Sequence, residues 1–92
     1  MNLKLQSYLA SFIATTIFIF VCIATENPIA IGATLSLVII LFSALGDGGV
    51  NPAITITQAS MGKIPVNDVL PFIMVQVMGG LVAVQLFKRV KN

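Results

Sequence analysis

The chain has no histidine, no tryptophan and one cysteine among its 92 residues. Without histidine the common zinc ligand sets and histidine-based catalysis are excluded, and a single cysteine excludes an internal disulfide. Charge is also scarce, since Asp, Glu, Lys and Arg together make up 9% of the residues. No constellation of acid, base and nucleophile can be assembled from them, so the sequence predicts neither an enzyme nor a protein with a metal or cofactor.

Hydrophobic residues, by contrast, make up 58% of the chain, and its mean hydropathy is +1.05. A soluble domain of this size buries too small a fraction of its surface to hide so much apolar area. The ranges 5–25, 27–46 and 69–87 carry no charged residue, and each is long enough to cross a bilayer as a helix. We therefore predict a multi-pass integral protein of the plasma membrane or another cellular membrane, with lipid as a partner.

The basic residues flank these apolar runs. Lys88, Arg89 and Lys91 follow the last run and are typical of a headgroup anchor rather than of a nucleic-acid surface. The first run also resembles the core of a signal peptide. From Tyr8 to Thr25 it is longer than such a core, which favours a retained span.

Turn signals place three spans at about 7–25, 29–45 and 68–87, within one unit that covers 1–92. Small residues on a membrane helix let a second helix approach closely. We expect Gly32 in the second span, and Gly79 and Gly80 in the third, to pack helices in this way. Gln76 is a polar group in the middle of the third span, and we expect it to face protein.

A segment between the second and third spans has the glycines and proline that are typical of a loop, and yet it must lie near the membrane. Three glycines precede Asn51, a favoured N-cap, and Pro52, which suits the first position of a helix. Lys63 and Pro65 then end this helix. A helix at about 51–61 has a length of about 15 Å, or half of a ~30 Å hydrocarbon core. The pattern predicts a re-entrant half-helix, which is tolerated at that depth when it is buried in protein or lines a wet cavity.

The capping chemistry of Asn51 indicates what such a half-helix does. Its side-chain oxygen should accept a backbone N–H from Ala53 or Ile54, which turns the NH2 donors away from the helix. The helix dipole adds about half a positive charge at the same place, so a water or hydroxyl oxygen would bind and a cation would be repelled. Small Ala53 would let a second half-helix approach end to end. The plainer interpretation is an ordinary helix cap in a loop.

Asn51-Pro52-Ala53, followed by Ile54-Thr55, resembles the Asn-Pro-Ala box of the aquaporin and glycerol-facilitator family, the major intrinsic proteins. Residues 10–15 resemble the start of that family's first helix, Gly32 stands where its second helix has a glycine, and 69–80 resemble its third helix. The resemblance implies an all-α membrane fold. Three transmembrane helices and one re-entrant half-helix would form one inverted repeat of a passive channel.

The chain departs from the family pattern around the loop. Ser11 stands where the family usually has a glutamate that braces the re-entrant segment, and the loop lacks the usual histidine. Asp47 is an acid gained in this loop, so it is a candidate bracing group beside Ser11 and Gln76. Asp47 could equally lie at a water-facing mouth and contribute little.

Family members have two such repeats, whereas this chain resembles the first repeat alone. The resemblance therefore implies that a second chain completes a six-span pore. Because the repeats are inverted, a homodimer requires two copies in opposite orientations. Such dimers could also assemble into a tetramer of dimers. One side of the membrane would carry Lys4 and Lys63, and the other side would carry the three basic residues at 88–91. This difference gives only a weak orientation bias, which is compatible with dual topology.

By position, the resemblance assigns Ile31 and Ile54 to apolar constrictions, and Gly48, Gly49 and Val50 to carbonyls offered to solute. It implies neutral permeants such as water, glycerol or other small solutes. Two other functions stay open at this point. The chain could be a non-conducting protein that pairs with full-length channels and modulates them, or a small membrane-structural protein that kept the box by descent.

Overall fold

The computed structural model describes residues 3–45 and 49–91. Within these ranges the elements are all helical: α1 at Leu3–Thr25, α2 at Pro28–Phe42, α3 at Pro52–Ser60, a 3-10 turn at Val66–Asp68 and α4 at Val69–Lys91. The longest dimension is 41 Å. That length matches a bilayer of about 40–45 Å with its headgroups.

Two of these helices are long and apolar enough to cross a membrane. They occupy Lys4–Thr25 and Val66–Lys91, with mean hydropathies of 2.1 and 2.0 over an 18-residue window in each. Only 22% of each window is buried inside the protein, which distinguishes both from the core helix of a soluble domain. The third apolar helix, α2, has 15 residues and a length of about 22 Å, which is shorter than a ~30 Å core.

The long helices run parallel and pack against each other along their length. Lys4 of α1 pairs with Asp68 just before α4, while Phe20 and Phe87 meet edge to face, with centroids 6.3 Å apart, near the opposite end. We call the end near Lys4 and Asp68 the first end of the bundle, and the end near Phe20 and Phe87 the second end. Since the hydroxyl of Ser7 donates to the Leu45 carbonyl, α2 returns to the first end and lies antiparallel to α1.

Small residues make the contact between α1 and α4 possible. The faces that meet bury Thr15 on α1, and Gly79 and Ala83 on α4. A Cβ added at Gly79 would lie 2.8 Å from the Phe12 carbonyl oxygen, closer than side chains tolerate. The Gly79 carbonyl accepts a hydrogen bond from the Thr16 hydroxyl at 3.2 Å. The two backbones therefore touch at Gly79.

The other two glycines expected to pack helices behave differently. A Cβ at Gly80 would make an ordinary 3.9 Å contact with Ile19. A Cβ at Gly32 would meet nothing within 4 Å, so the prediction that Gly32 packs helices is wrong within this chain. The physical reason is rotation about the axis of α2, which turns Val38 toward α1 and leaves Gly32 exposed.

The helix ends differ from the predicted limits by a few residues. Asn27 caps α2, its side-chain oxygen accepting from the backbone N–H groups of Ile29 and Ala30, and Pro28 is the first helical residue. The helix ends at Phe42 instead of 45, because Leu45 N–H bonds back to Phe42 in a turn. Helices α1 and α4 extend to Leu3 and Lys91, where lysine, arginine and glutamine favour helix and cations suit the last turn.

Replacing Gly79 by alanine should destabilise the bundle by about 1–3 kcal/mol, because the added methyl group forces α1 and α4 apart. The free energy of unfolding can be measured on the purified protein by SDS titration in mixed micelles, with helical circular dichroism as the signal. The matched control is Gly80→Ala, since a Cβ there has room. Equal stability of the two variants would contradict this account of the helix contact.

Candidate functional site

The site is built from the start of α3. Asn51 has extended backbone angles, and its side-chain oxygen accepts the backbone N–H of Ala53 at 2.7 Å, as the sequence predicts for an N-cap. Pro52 is the first helical residue, and the backbone carbonyl of Asn51 accepts from Thr55 N–H at 3.1 Å. With its oxygen fixed in this way, the amide presents its two N–H donors on an exposed residue.

A buried set of hydrogen bonds holds this turn against the long helices. We call it the polar cluster; it comprises the side chains of Ser11, Thr55 and Gln76 and the backbone carbonyl of Gly49. The Gln76 amide nitrogen lies 2.7 Å from the Thr55 hydroxyl, 3.2 Å from the Gly49 carbonyl and 3.4 Å from the Ser11 hydroxyl. Ser11 in turn donates to the Gly49 carbonyl. The cluster therefore ties α1, α4 and the turn together without a buried charge.

Thr55 is the member of the polar cluster that the sequence did not single out. It is fully buried, and its hydroxyl both accepts from Gln76 and lies 3.3 Å from the Asn51 carbonyl. A chain of hydrogen bonds thus runs from α4 through Thr55 to the capping residue. The available signal was its position four residues after Asn51, which places both on one face of α3.

Gly49 has a different place from the one expected for it. Its carbonyl accepts from both Ser11 and Gln76, so both lone pairs are occupied and the group is directed into the protein. The expectation that this carbonyl is offered to a permeating solute is wrong. The glycine has φ +72°, and an added Cβ would lie 3.1 Å from the Ile54 side chain, so the turn requires glycine. Asp47 and Gly48 lie outside the described residues.

The end of α3 turns the chain back toward the first end. Gly62, with φ +77°, donates its N–H to the Ala59 carbonyl, and Lys63 N–H donates to the Gln58 carbonyl at 2.9 Å. This pair of bonds is a Schellman motif, which satisfies the last helical carbonyls and stops the helix. Five residues after Lys63, Asp68 lies beside Lys4 at the first end.

A cavity of about 220 Å³ lies between α1, α2 and the start of α3. Most of its lining is apolar, and the polar contributions come from serines and one glutamine. The Gln58 side-chain oxygen is buried and has no hydrogen-bond partner among the described residues. The lining residues are Ser7, Ala10, Ser11, Ala14, Val38, Ile39, Phe42, Ser43, Gly49, Val50, Ile54 and Gln58.

The structure separates the two isoleucines that sequence reasoning assigned to constrictions. Ile54 lines the cavity and is 41% exposed. Ile31 lies in the first turn of α2 toward the second end, half-buried and outside the cavity lining. Val50 is buried beside Ala14 and Val38, whereas Ala53 is exposed next to Asn51. The exposed face at the start of α3 thus consists of Asn51, Ala53 and Ile54.

A second polar group closes the first end. The Lys4 ammonium lies 3.1 Å from the Asp68 carboxylate, and the Tyr8 hydroxyl donates to the same carboxylate oxygen at 3.2 Å. The Tyr8 ring packs edge to face on Phe72, with centroids 4.8 Å apart. This group joins the starts of α1 and α4 and so sets the register that brings Ser11 and Gln76 to the same level. The position of Lys4 beside an apolar run predicts only a flanking charge.

Among the described residues, the polar groups of this arrangement suit neutral hydrogen-bonding molecules. Near Asn51 the polar atoms are amide, hydroxyl and carbonyl groups of uncharged residues. In the described ranges, no group of three or more His, Cys, Asp or Glu residues could hold a metal ion. Exposed amide donors at a helix N-terminus suit the oxygen of an uncharged solute.

A model of one protein family, described as "Major intrinsic protein", matches residues 2–92 of the chain. A search of curated proteins gave no match, and neither did a search of solved structures.

Replacing Gln76 by leucine should weaken the attachment of α3 by about 1–3 kcal/mol, since Thr55 and the Gly49 carbonyl lose a buried donor. We expect the backbone amides of Ala53 and Thr55 to exchange hydrogen faster while those of α4 change little. The matched control is Gln85→Leu, because Gln85 is exposed on the same helix. Unchanged exchange in α3 would contradict a bracing role for Gln76.

Proposed function

Because the chain belongs to the major intrinsic protein family, we propose that it is a subunit of a passive membrane channel for small neutral solutes. Family membership indicates a helical membrane protein and a channel for water or small solutes. The finer proposal concerns how this chain forms the pore. In it, α3 is a re-entrant half-helix whose capping residue Asn51 lies near the membrane midplane.

The observation that carries this proposal is the depth at which α3 starts. Ser11 lies roughly 12 Å along α1 and Gln76 roughly 10 Å along α4, at 1.5 Å per residue, and both bind the turn before Asn51. The nine-residue helix then leads back to the first end, where Asp68 meets Lys4. A helix that begins inside the bundle and returns to its entry side fits a re-entrant element. The neutral polar cluster satisfies its backbone there.

A single half-helix leaves the Asn51 site open on one side. Asn51 and Ala53 are exposed, and Ile54 and Ile56 are 41% and 51% exposed. We propose that α3 of a second copy of this chain covers this face, with the two Asn51 side chains adjacent at the midplane. Because the family's repeats are inverted, the second copy would have the opposite orientation. Ala53 provides the clearance for such an end-to-end approach.

The distribution of basic residues is compatible with both orientations. Lys4 and Lys63 are near the first end, while Lys88, Arg89 and Lys91 follow at the second end. The orientation rule counts Lys and Arg and gives little weight to acids, so the Asp68 partner of Lys4 does not alter the balance. Two against three is a small difference, which supports dual topology.

Selectivity in such a pore would depend on shape and neutral donors. Ile31 and Ile54 are the proposed apolar constrictions. The backbone carbonyl oxygens of Gly48 and Val50 are proposed to accept hydrogen bonds from the solute. Paired Asn51 amides and the positive ends of two α3 helices would exclude cations, since no basic side chain is proposed in the pore. Water, glycerol and similar small solutes are the proposed permeants.

Stopped-flow light scattering of liposomes that contain only this purified chain tests conduction under separate water and glycerol gradients. We expect faster volume change than in empty liposomes, and we expect Ala53→Trp to reduce it to the empty-liposome rate. The matched control is Ala24→Trp, an exposed position at the end of α1. If the wild-type chain, with its helicity intact, gave only the empty-liposome rate, a homomeric channel would be ruled out in favour of a non-conducting partner of other channels.

Disulfide trapping tests the paired half-helices separately. In a Cys22→Ser background, Ala53→Cys should form an interchain disulfide under mild oxidation, since bridged residues need Cα atoms within about 7 Å. Ser60→Cys, at the other end of α3, should stay monomeric under the same conditions. Equal trapping at both positions, or none at position 53 in a conducting preparation, would contradict the end-to-end arrangement.

A further inference from the structure

We propose that the last turns of α4 bind one anionic phospholipid, with Arg89 on the phosphate, Gln85 at the ester level and an acyl chain along Leu81, Val82 and Leu86. This site is at the second end, away from the start of α3, and it does not depend on whether the chain conducts. Four lines of observation support it.

The first is a concentration of positive charge. Lys88, Arg89 and Lys91 are all exposed in the last turn of α4. In the described ranges the ion pair is between Lys4 and Asp68, at the first end, so no described carboxylate neutralises these three cations within 4 Å. Their most favourable partner is an anion at the membrane surface.

The second is the order of side chains on one face of α4. A shallow depression of about 350 Å³ is lined by Leu81, Val82, Gln85, Leu86 and Arg89. Residues four apart on a helix are neighbours separated by about 6 Å along the axis. Going inward from the helix end along the row 89, 85 and 81, the face presents a guanidinium, then an amide, then an aliphatic side chain, with Leu86 and Val82 beside this row. A phospholipid presents a phosphate, then ester carbonyls, then acyl chains in the same order.

The third is that Lys91 and Arg89 lie on different sides of α4. The Lys91 ammonium lies 5.8 Å from the centroid of the Phe87 ring, and that ring packs edge to face on Phe20 of α1. Lys91 is therefore directed toward the α1 side of the helix, and it helps to fix the terminal turn. Arg89 lines the depression instead. Its planar fork can donate two parallel hydrogen bonds to phosphate oxygens, which an ammonium cannot do.

The fourth distinguishes a lipid from other occupants. Leu81, Val82 and Leu86 are 61%, 37% and 44% exposed, so a free phosphate ion would leave this apolar face uncovered. A second copy of the chain in parallel orientation would bring three like charges against three. An anionic lipid covers the apolar face and neutralises the cations together.

Native mass spectrometry of the purified chain, released from micelles, tests the proposal with phosphatidylglycerol and phosphatidylcholine of identical acyl chains. We expect the wild type to retain phosphatidylglycerol in preference, and Arg89→Gln to reduce this preference about fivefold. The matched control is Lys63→Gln, which removes an exposed lysine near the first end and should leave the preference unchanged. Circular dichroism of each variant confirms that its helices are intact.

Two further arms test the level and the source of the ligand. Gln85→Leu should weaken retention of ester-linked phosphatidylglycerol more than that of its ether-linked analogue, since only the ester offers carbonyl oxygens. Glycerol 3-phosphate at the same concentration should not displace the lipid. Equal retention of the two headgroups by the wild type, an unchanged preference in Arg89→Gln, or displacement by glycerol 3-phosphate would each overturn the proposal.

Discussion

A backbone carbonyl in apolar surroundings needs a donor from the protein, and the turn before α3 depends on how that need is met at Gly49. Its carbonyl accepts from Ser11 on α1 and Gln76 on α4, while Gln76 also reaches Thr55 inside α3. These bonds are possible only when the two long helices stand at the same level. The Lys4–Asp68 pair at the first end and the backbone contact at Gly79 establish that level. Because every member of the polar cluster is neutral, the turn is held inside the helix bundle without the cost of a buried charge.

The chain uses one local device twice with different results. Asn27-Pro28 and Asn51-Pro52 both begin a helix with an asparagine cap followed by proline. Asn27 stands in the turn between α1 and α2, where water can satisfy whatever the cap leaves unpaired. Asn51 follows a turn anchored to Ser11 and Gln76, about a third of the way along α1. The same pair of residues is thus a surface turn in one place and a candidate solute site in the other, and packing makes the difference.

The surfaces that the chain leaves uncovered carry its proposed functions. The exposed face of Asn51, Ala53 and Ile54 has donors and small or apolar groups but no charge, which suits the proposed contact with α3 of a second chain and with a neutral solute. The outer face of α4 at the second end has a guanidinium above an apolar strip, which suits an anionic lipid. In the antiparallel arrangement each leaflet would receive one second end, so both leaflets would contact an Arg89.

The sequence by itself determined the features that depend on local chemistry. Uncharged runs determined the apolar helices, and Asn-Pro pairs determined where α2 and α3 begin, because capping involves residues two or three apart. The Asn51-Pro52-Ala53 motif also carried the family resemblance that the family model supports. Only the tertiary structure decided which helix faces meet. It directed the Gly49 carbonyl inward, buried Thr55, left Gly32 in open space and joined Lys4 to Asp68. These outcomes depend on the rotation and level of helices whose contacting residues are tens of positions apart, and no local pattern in the chain specifies either quantity.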